Sequence, residues 1–320
     1  MILSNKPPYT ITPIILQLVS SISRKLGEVD ANYLNKQSPQ LRKGNAIKTI
    51  HASLQIEGNT LSEEQITALV DNKKIVGPEK DVIEVLNAIR VYQQLDQYNC
   101  FSERSFLKAH KTLMQGLVKH PGKYRQQGVG IVKGSRVEHI APPHKNVPFL
   151  MKELLAYLKN PGELSLIKSC VFHYEMEFIH PFLDGNGRMG RLWQTLILSR
   201  EFPIFNFIPF ETLIRNTQKD YYKALAMSDK NGHSTVFVEY MLNVIDMSLE
   251  QLLDYNSRIL KDIDRLEYFM SLGYKSFTRK DYMAVFKDIS TATASRDLQK
   301  GVALKLFRSS GNKNKTVYIL

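Results

Sequence analysis

Apolar positions along the chain recur mostly at three- and four-residue spacing, the pattern of helices with one buried stripe. Ile14, Leu16, Leu18, Val19, Ile22 and Leu26 outline a first amphipathic helix, and Ile47, Ile50 and Leu54 a second from about Arg42 to Ile56. Gly58-Asn59 stops that helix in the manner of a left-handed C-cap, and Ser62 with Gln65 three residues on resembles a capping box opening the next. Further helices are expected over Lys80–Tyr98, Glu103–Leu117, Val147–Leu158, Glu163–Ile179, Arg188–Arg200, Glu211–Met227 and Val236–Leu272.

The helical pattern breaks twice. Gly122–Lys145 is rich in Gly, Val and Pro, and its Val129–Val132 and Val137–Ile140 runs read as two short strands around Gly134-Ser135. Loop-like excursions from a rigid scaffold are where function tends to sit. Near the end, a helix at Arg279–Phe286 precedes Ser290–Leu298, and two strand-like pieces then flank a Gly311–Lys315 turn. Helix, helix and basic hairpin is the order of a winged helix. The expected fold is mainly α with a short β-hairpin. Its parts are an N-terminal helical region over residues 1–100, a central domain over 101–250 and a small winged-helix-like domain over 251–320.

Composition narrows the class. A chain of 320 residues suits two or three packed units, and 43% hydrophobic with 23% charged residues is ordinary for globular proteins. Two cysteines, Cys100 and Cys170, make no disulfide framework, which favours a reducing compartment. Neither a leader pattern nor an apolar run of about 18 residues is present, so no membrane partner and a cytoplasmic location are expected. The net charge of +12 fits a phosphate-bearing ligand, an acidic partner or nucleic acid. Residues 257–320 hold 13 Lys and Arg against 6 Asp and Glu, a net of +7.

The densest chemistry lies in His180-Pro-Phe-Leu-Asp184-Gly185-Asn186-Gly187-Arg188-Met189-Gly190-Arg191. Glycines at 185 and 187 let the backbone approach a ligand. A helix beginning near Arg188 would aim free N–H groups and its positive dipole end into the turn, a ready phosphate site. Arg188 and Arg191, three apart, could clamp further phosphate oxygens. Asp184 beside a polyphosphate is a natural Mg²⁺ ligand. His180 is the group suited to taking a proton near neutral pH.

This segment resembles the signature of the Fic family (filamentation induced by cAMP), H-x-F-x-D/E-G-N-G-R-x-x-R, at every defined position. The resemblance extends over roughly residues 1–250. It implies a protein adenylyltransferase with a β-hairpin flap, moving AMP from ATP onto Ser, Thr or Tyr hydroxyls of a protein target. His180 would then be the base, Asp184 the Mg²⁺ ligand and Gly185 to Gly187 the phosphate cradle, with Arg188 and Arg191 on the outer phosphates and Met189 and Gly190 between them. Upstream, Ser53-Leu-Gln-Ile-Glu57-Gly58-Asn59 is similar to the family's inhibitory motif S/T-x-x-x-E-G/N, with Ser53 and Glu57 on one helix face. There the glutamate pairs with the second signature arginine, here Arg191, and displaces the γ-phosphate.

By the same resemblance the hairpin would hold the target by strand pairing, with Val137, Glu138, His139 and Ile140 bordering the nucleotide. Tyr221, Tyr222, Leu225 and Asp229 would line the adenine pocket, although family members often carry Asn at the last position. His173, with Glu177 four residues on, offers too few ligands for a metal and reads as structural, and His139 and His144 read as incidental. Two other functions share these residues: removal of AMP, with Glu57 orienting water, and a nucleotide-sensing regulator whose basic C-terminal module contacts DNA. A homodimer is a further expected association.

Overall fold

The computed structural model describes residues 6–33, 39–133, 136–257, 262–286, 289–311 and 316–320. They form two compact units, Met1–Leu252 and Leu253–Leu320. The first contains α1 (Pro13–Tyr33), α2 (Pro39–Ile56), α3 (Glu63–Val70), α4 (Glu79–Gln93), α5 (Glu103–Leu113), the hairpin strands β1 (Gly130–Lys133) and β2 (Arg136–Ile140), α6 (Val147–Tyr157), α7 (Ser165–Ile179), α8 (Asn186–Glu201), α9 (Glu211–Asn216), α10 (Gln218–Asn231) and most of α11 (Thr235–Ser257). The protein is mainly helical, as its spacing predicts.

Helices α7 and α8 form the spine. A helix apolar on all sides belongs at the centre of a bundle, and α8 is buried without interruption from Arg188 to Leu198. Trp193 is fully buried, packs edge-on against Phe106 at 5.0 Å and donates its indole N–H to the Cys100 carbonyl at 3.0 Å. The stop after α2 is a Schellman motif: Gly58 has φ of 89°, with Gly58 N–H bonded to Gln55 O and Asn59 N–H to Leu54 O. Ser62 and Gln65 make the capping box that opens α3.

Three expectations needed revision. The single helix over Glu211–Met227 is divided at Thr217, whose backbone leaves helical geometry while its hydroxyl bonds Leu213 O and Tyr240 OH, both at 2.8 Å. The stretch Val236–Leu272 is two helices, α11 and, in the second unit, α12 (Asp262–Ser271). That unit continues with β3 (Ser276–Thr278), α13 (Arg279–Val285), α14 (Thr291–Ala303), β4 (Arg308–Ser310) and β5 (Val317–Ile319). Its sheet has three strands in the order β3-β5-β4, all antiparallel, where the sequence pattern gave two. β3 has only three residues, too short to show an alternation. The Gly134-Ser135 turn and residues 312–315 lie outside the described residues.

The second unit has its own core around Phe269, whose ring lies 4.6 Å from Phe277 and 5.0 Å from Tyr282. Within it, Arg265 on α12 donates from Nε and Nη2 to the Asp297 carboxylate on α14 at 2.6 and 2.9 Å. Tyr282 OH donates to the same carboxylate at 3.2 Å.

Candidate active site

The turn between α7 and α8 is built by its own side chains and by α5. His180 ends α7 in the left-handed region, φ 48° and ψ 61°, an unfavourable conformation for a non-glycine residue and one that collects at functional sites. Its Nδ1 lies 3.4 Å from the Glu177 carbonyl. A carbonyl only accepts, so Nδ1 is the donor in this contact, and Nε2 is the nitrogen that can take a proton in the neutral ring. Asn186 closes the turn, accepting from Phe182 N–H at 2.9 Å and donating to Phe182 O at 3.0 Å.

His110 supports that turn from below. Its ring stacks on Phe182 with centroids 3.5 Å apart. Gly122 N–H donates to Nδ1 at 2.8 Å, which leaves Nε2–H to donate to the Asp184 carbonyl at 3.0 Å. Burial pushes the imidazole down to about 4, so it is neutral. Gly185 follows at φ 87°, where a Cβ would stand 2.7 Å from Met114 Sδ. The chain then enters α8 with its first N–H groups aimed back over the turn, the geometry that holds anions.

A cavity of about 250 Å³ opens there, lined by Glu57, Glu177, His180, Leu183, Asp184, Gly185, Asn186, Gly187, Arg191, Tyr221 and Tyr222. The C-terminal end of α2 covers one side of it. Glu57 Oε1 accepts from Arg191 Nη2 at 2.7 Å, and the same arginine donates to Ser53 Oγ from Nε and to Ser53 O from Nη2, both at 3.0 Å. Burial works most strongly on the Arg191 cation and against it, but the Glu57 carboxylate, Tyr221 and Glu177 together hold the guanidinium above its ordinary range. The carboxylate lies so close over α8 that a Cβ at Gly187 would stand 2.5 Å from Glu57 Oε1. Gln218 Nε2 donates to Ile56 O at 3.0 Å and Arg215 to Gln55 Oε1 at 2.9 Å, fastening the end of α2 from the α9–α10 side.

Not every residue named from the sequence reaches this cavity. Arg188 is buried and turned aside, donating to Asp184 Oδ1 at 2.8 Å and to Glu84 Oε1 on α4 at 3.1 Å. Glu84 in turn accepts from Asn59 at 2.9 Å. Met189 is fully buried, and Gly190 faces His173. Leu225 and Asp229 are not on the lining, and Asp229 accepts from Tyr174 OH at 2.9 Å. The side chains of Val137, Glu138, His139 and Ile140 lie outside the described residues. His173 is fully buried between Gln194 and Tyr221, at 2.7 and 3.1 Å, and burial lowers it to about 3.

Sequence reasoning missed Glu177 and Leu183 on the lining, together with Glu84, His110 and Arg125. Glu177 had a signal, standing one turn before His180. Leu183 lies within the turn, whereas Glu84, His110 and Arg125 come from segments 54 or more residues away from it. Arg125 is buried and donates from Nε to His180 O at 2.7 Å, from Nη1 to Gln127 O at 2.8 Å, and from Nη2 to Pro142 O at 2.5 Å and Ile179 O at 3.3 Å. One guanidinium therefore joins both legs of the hairpin to the end of α7.

The donor set also bears on a metal. The Asp184 side chain is 48% exposed and already accepts from Arg188. No group of three metal-binding side chains exists among the described residues. A lone accessible carboxylate fits magnesium, which is satisfied by one or two carboxylates with phosphate oxygens and water.

Two helices joined by a helix-N-terminal anion turn, with a buried arginine one turn on and a β-hairpin tied to the same turn, define the class of this site. The chain belongs to the Fic/DOC family. That family's model matches residues 100–198. A Fic family protein from Desulfovibrio desulfuricans G20, known from a crystal structure, is 39% identical over 98% of both chains, with a TM-score of 0.76. Protein adenylyltransferase fic-1 of Caenorhabditis elegans is 25% identical across 74% of this chain and 48% of its own length. A probable protein adenylyltransferase of Aquifex aeolicus is 26% identical across 70% of this chain and 71% of its own. The chain spans about half the length of the first of these adenylyltransferases.

Proposed function

We propose that this protein transfers AMP from ATP to a hydroxyl of a protein target and that Glu57 restrains the reaction. The observation that carries the reading is the meeting of His180, the α8 N-terminus and Arg191 on one cavity, with Glu57 held against that arginine at 2.7 Å. The names of the relatives support the same chemistry.

The target hydroxyl gives its proton to Nε2 of His180 as its oxygen bonds to the α-phosphorus. The bond from that phosphorus to the bridging oxygen breaks, and pyrophosphate leaves. The N–H groups of Asn186 and Gly187 bind the phosphate oxygens, and Arg191, freed from Glu57, binds the outermost. Positioning and fixed dipoles provide most of the acceleration in phosphoryl transfers, and base catalysis adds about 10²–10⁴-fold. Asp184 would hold Mg²⁺, which offsets charge on the phosphates when bound. Arg188, tied to Asp184 and Glu84, orients the carboxylate rather than touching the nucleotide.

The second unit is read as a winged-helix-like module. Exposed Ala292, Arg296 and Gln299 lie at i, i+4 and i+7 on α14, and this face favours DNA contact as a second reading. A gel shift that weakens steeply with salt supports it, and no shift at low salt refutes it. For AMP transfer the test is labelled ATP with a cell lysate, comparing wild type, Glu57→Gly and His180→Ala. Protein-bound label that rises in the first variant and vanishes in the second is the expected result. Label retained by His180→Ala overturns the assignment.

A further inference from the structure

A second cavity, of about 290 Å³, lies on the other side of the catalytic turn. The two cavities share Leu183 and Asp184 as a common wall. The outer walls of the second come from residues 118–127, the segment that runs directly into β1. Its charged lining is one-sided. Lys119, His120 and Lys123 are exposed around it, and the Gln126 and Gln127 amides add donors. Asp184 is the only acid on the lining, and its Oδ1 is already engaged by Arg188 and by Gly185 N–H. Arg125 also lines the cavity, but its guanidinium is committed to backbone carbonyls. The exposed cations Lys119, His120 and Lys123 therefore outnumber the single, partly engaged acid on the lining.

Position supplies the partner. β2 contacts α10, and β1 has no second strand partner among the described residues, so its outer edge is where an added strand could pair. A polypeptide that adds to β1 and presents a hydroxyl to His180 continues past residues 118–127. Its neighbouring side chains then reach the basic cavity. A volume near 290 Å³ suits one or two side chains and not a folded surface.

We propose that this cavity is the subsite for an acidic side chain of the target segment, next to the modified residue. The proposal rests on the AMP-transfer reading, since it names the target of that same site. Electrostatic complementarity of this kind selects partners and raises their rate of encounter more than it adds affinity.

Two rhodamine-labelled peptides test it, each with a central serine, one flanked by Glu and one by Lys. Docking is read by fluorescence anisotropy against the full chain carrying Glu57→Gly, and AMP incorporation is read in the same samples with labelled ATP. The acid-flanked peptide is expected to bind and be labelled about three- to tenfold better, and Lys119→Glu with Lys123→Glu is expected to invert that ratio. The ratio is internal to each sample, so a general loss of activity does not imitate the effect. Equal docking of both peptides, or an acid preference that survives the double charge reversal, overturns the subsite. Acid-selective docking without label on any peptide or on the protein itself leaves the subsite standing and overturns AMP transfer instead.

Discussion

The carbonyl oxygen of His180 accepts a 2.7 Å hydrogen bond from Nε of Arg125. The same guanidinium also reaches Ile179 on α7 and, across the hairpin, Gln127 before β1 and Pro142 after β2. On the proposed reading, a hairpin that positions the target is thus keyed to the residue that takes the proton. Arg125→Ala should lower kcat for AMP transfer by about 10²-fold, the scale on which a misplacement of about 1 Å acts, while the KM for ATP changes little. Arg125→Lys, which cannot fork to several carbonyls, should fall between. Steady-state kinetics read the split, and a KM for ATP that rises with kcat intact would point to nucleotide binding instead.

Glu57 and the γ-phosphate compete for Arg191 on the proposed reading. Glu57→Gly should raise self-labelling at saturating ATP and Mg²⁺. Arg191→Ala should not, because the same cation serves productive binding, and the double variant should stay poorly active. That non-additivity is expected of groups acting as one unit. Activation by Arg191→Ala alone would show that the arginine has no catalytic share.

His180→Ala should abolish transfer with an unchanged melting temperature, since its ring contributes proton chemistry more than packing. Asp184→Ala should lose activity and its dependence on Mg²⁺ concentration. Full magnesium-dependent turnover in that variant removes Asp184 from the metal.

Two of the contributions to the pH dependence of stability are opposed in sign. His110 is held near 4, below the ordinary 6.5, so its contribution is present above pH 6.5 and is lost as pH falls toward 4. Protonation would set a second N–H against Gly122 N–H. Glu211 is pushed up by burial to about 8, so its contribution is present below about 4.5 and is lost as pH rises through 8. Melting temperatures measured from pH 4 to 9 should therefore fall at both ends. His110→Gln should flatten the acid limb and Glu211→Gln the alkaline one, and unchanged slopes would reject the assignments.

The Arg265–Asp297 pair tests the second unit. Asp297→Ala leaves a buried cation without its partner, a loss of about 3–5 kcal/mol in comparable cases. Far-ultraviolet melting should show an earlier transition with AMP transfer intact at low temperature. A melt like wild type would make the pair dispensable.

The signature turn was legible because its chemistry is consecutive, and Ser53 with Glu57 because a helix repeats every three to four residues. The capping box at Ser62 and the stop at Gly58 were legible for the same local reasons. Arg188 was not. Its spacing from Arg191 says that both could face one ligand, but a buried acid on α4, 104 residues earlier, turns it aside. Arg125 and His110 escaped because they act on backbone carbonyls, which carry no residue identity into the sequence. Thr217 broke an expected helix through a hydroxyl contact with Tyr240, again a tertiary effect on a locally helical pattern.

Gly187 has a consequence for how such a protein can drift over generations. A Cβ at this position would stand 2.5 Å from the Glu57 carboxylate and push it aside, and on the proposed reading it would also stand where a phosphate meets the backbone. On the proposed reading, a lineage that substitutes residue 187 forfeits restraint and activity in one step, and no runaway enzyme results. Loss of the Glu57 carboxylate instead removes restraint alone. Hyperactive escape variants should therefore accumulate at the end of α2 and be missing from the first turn of α8.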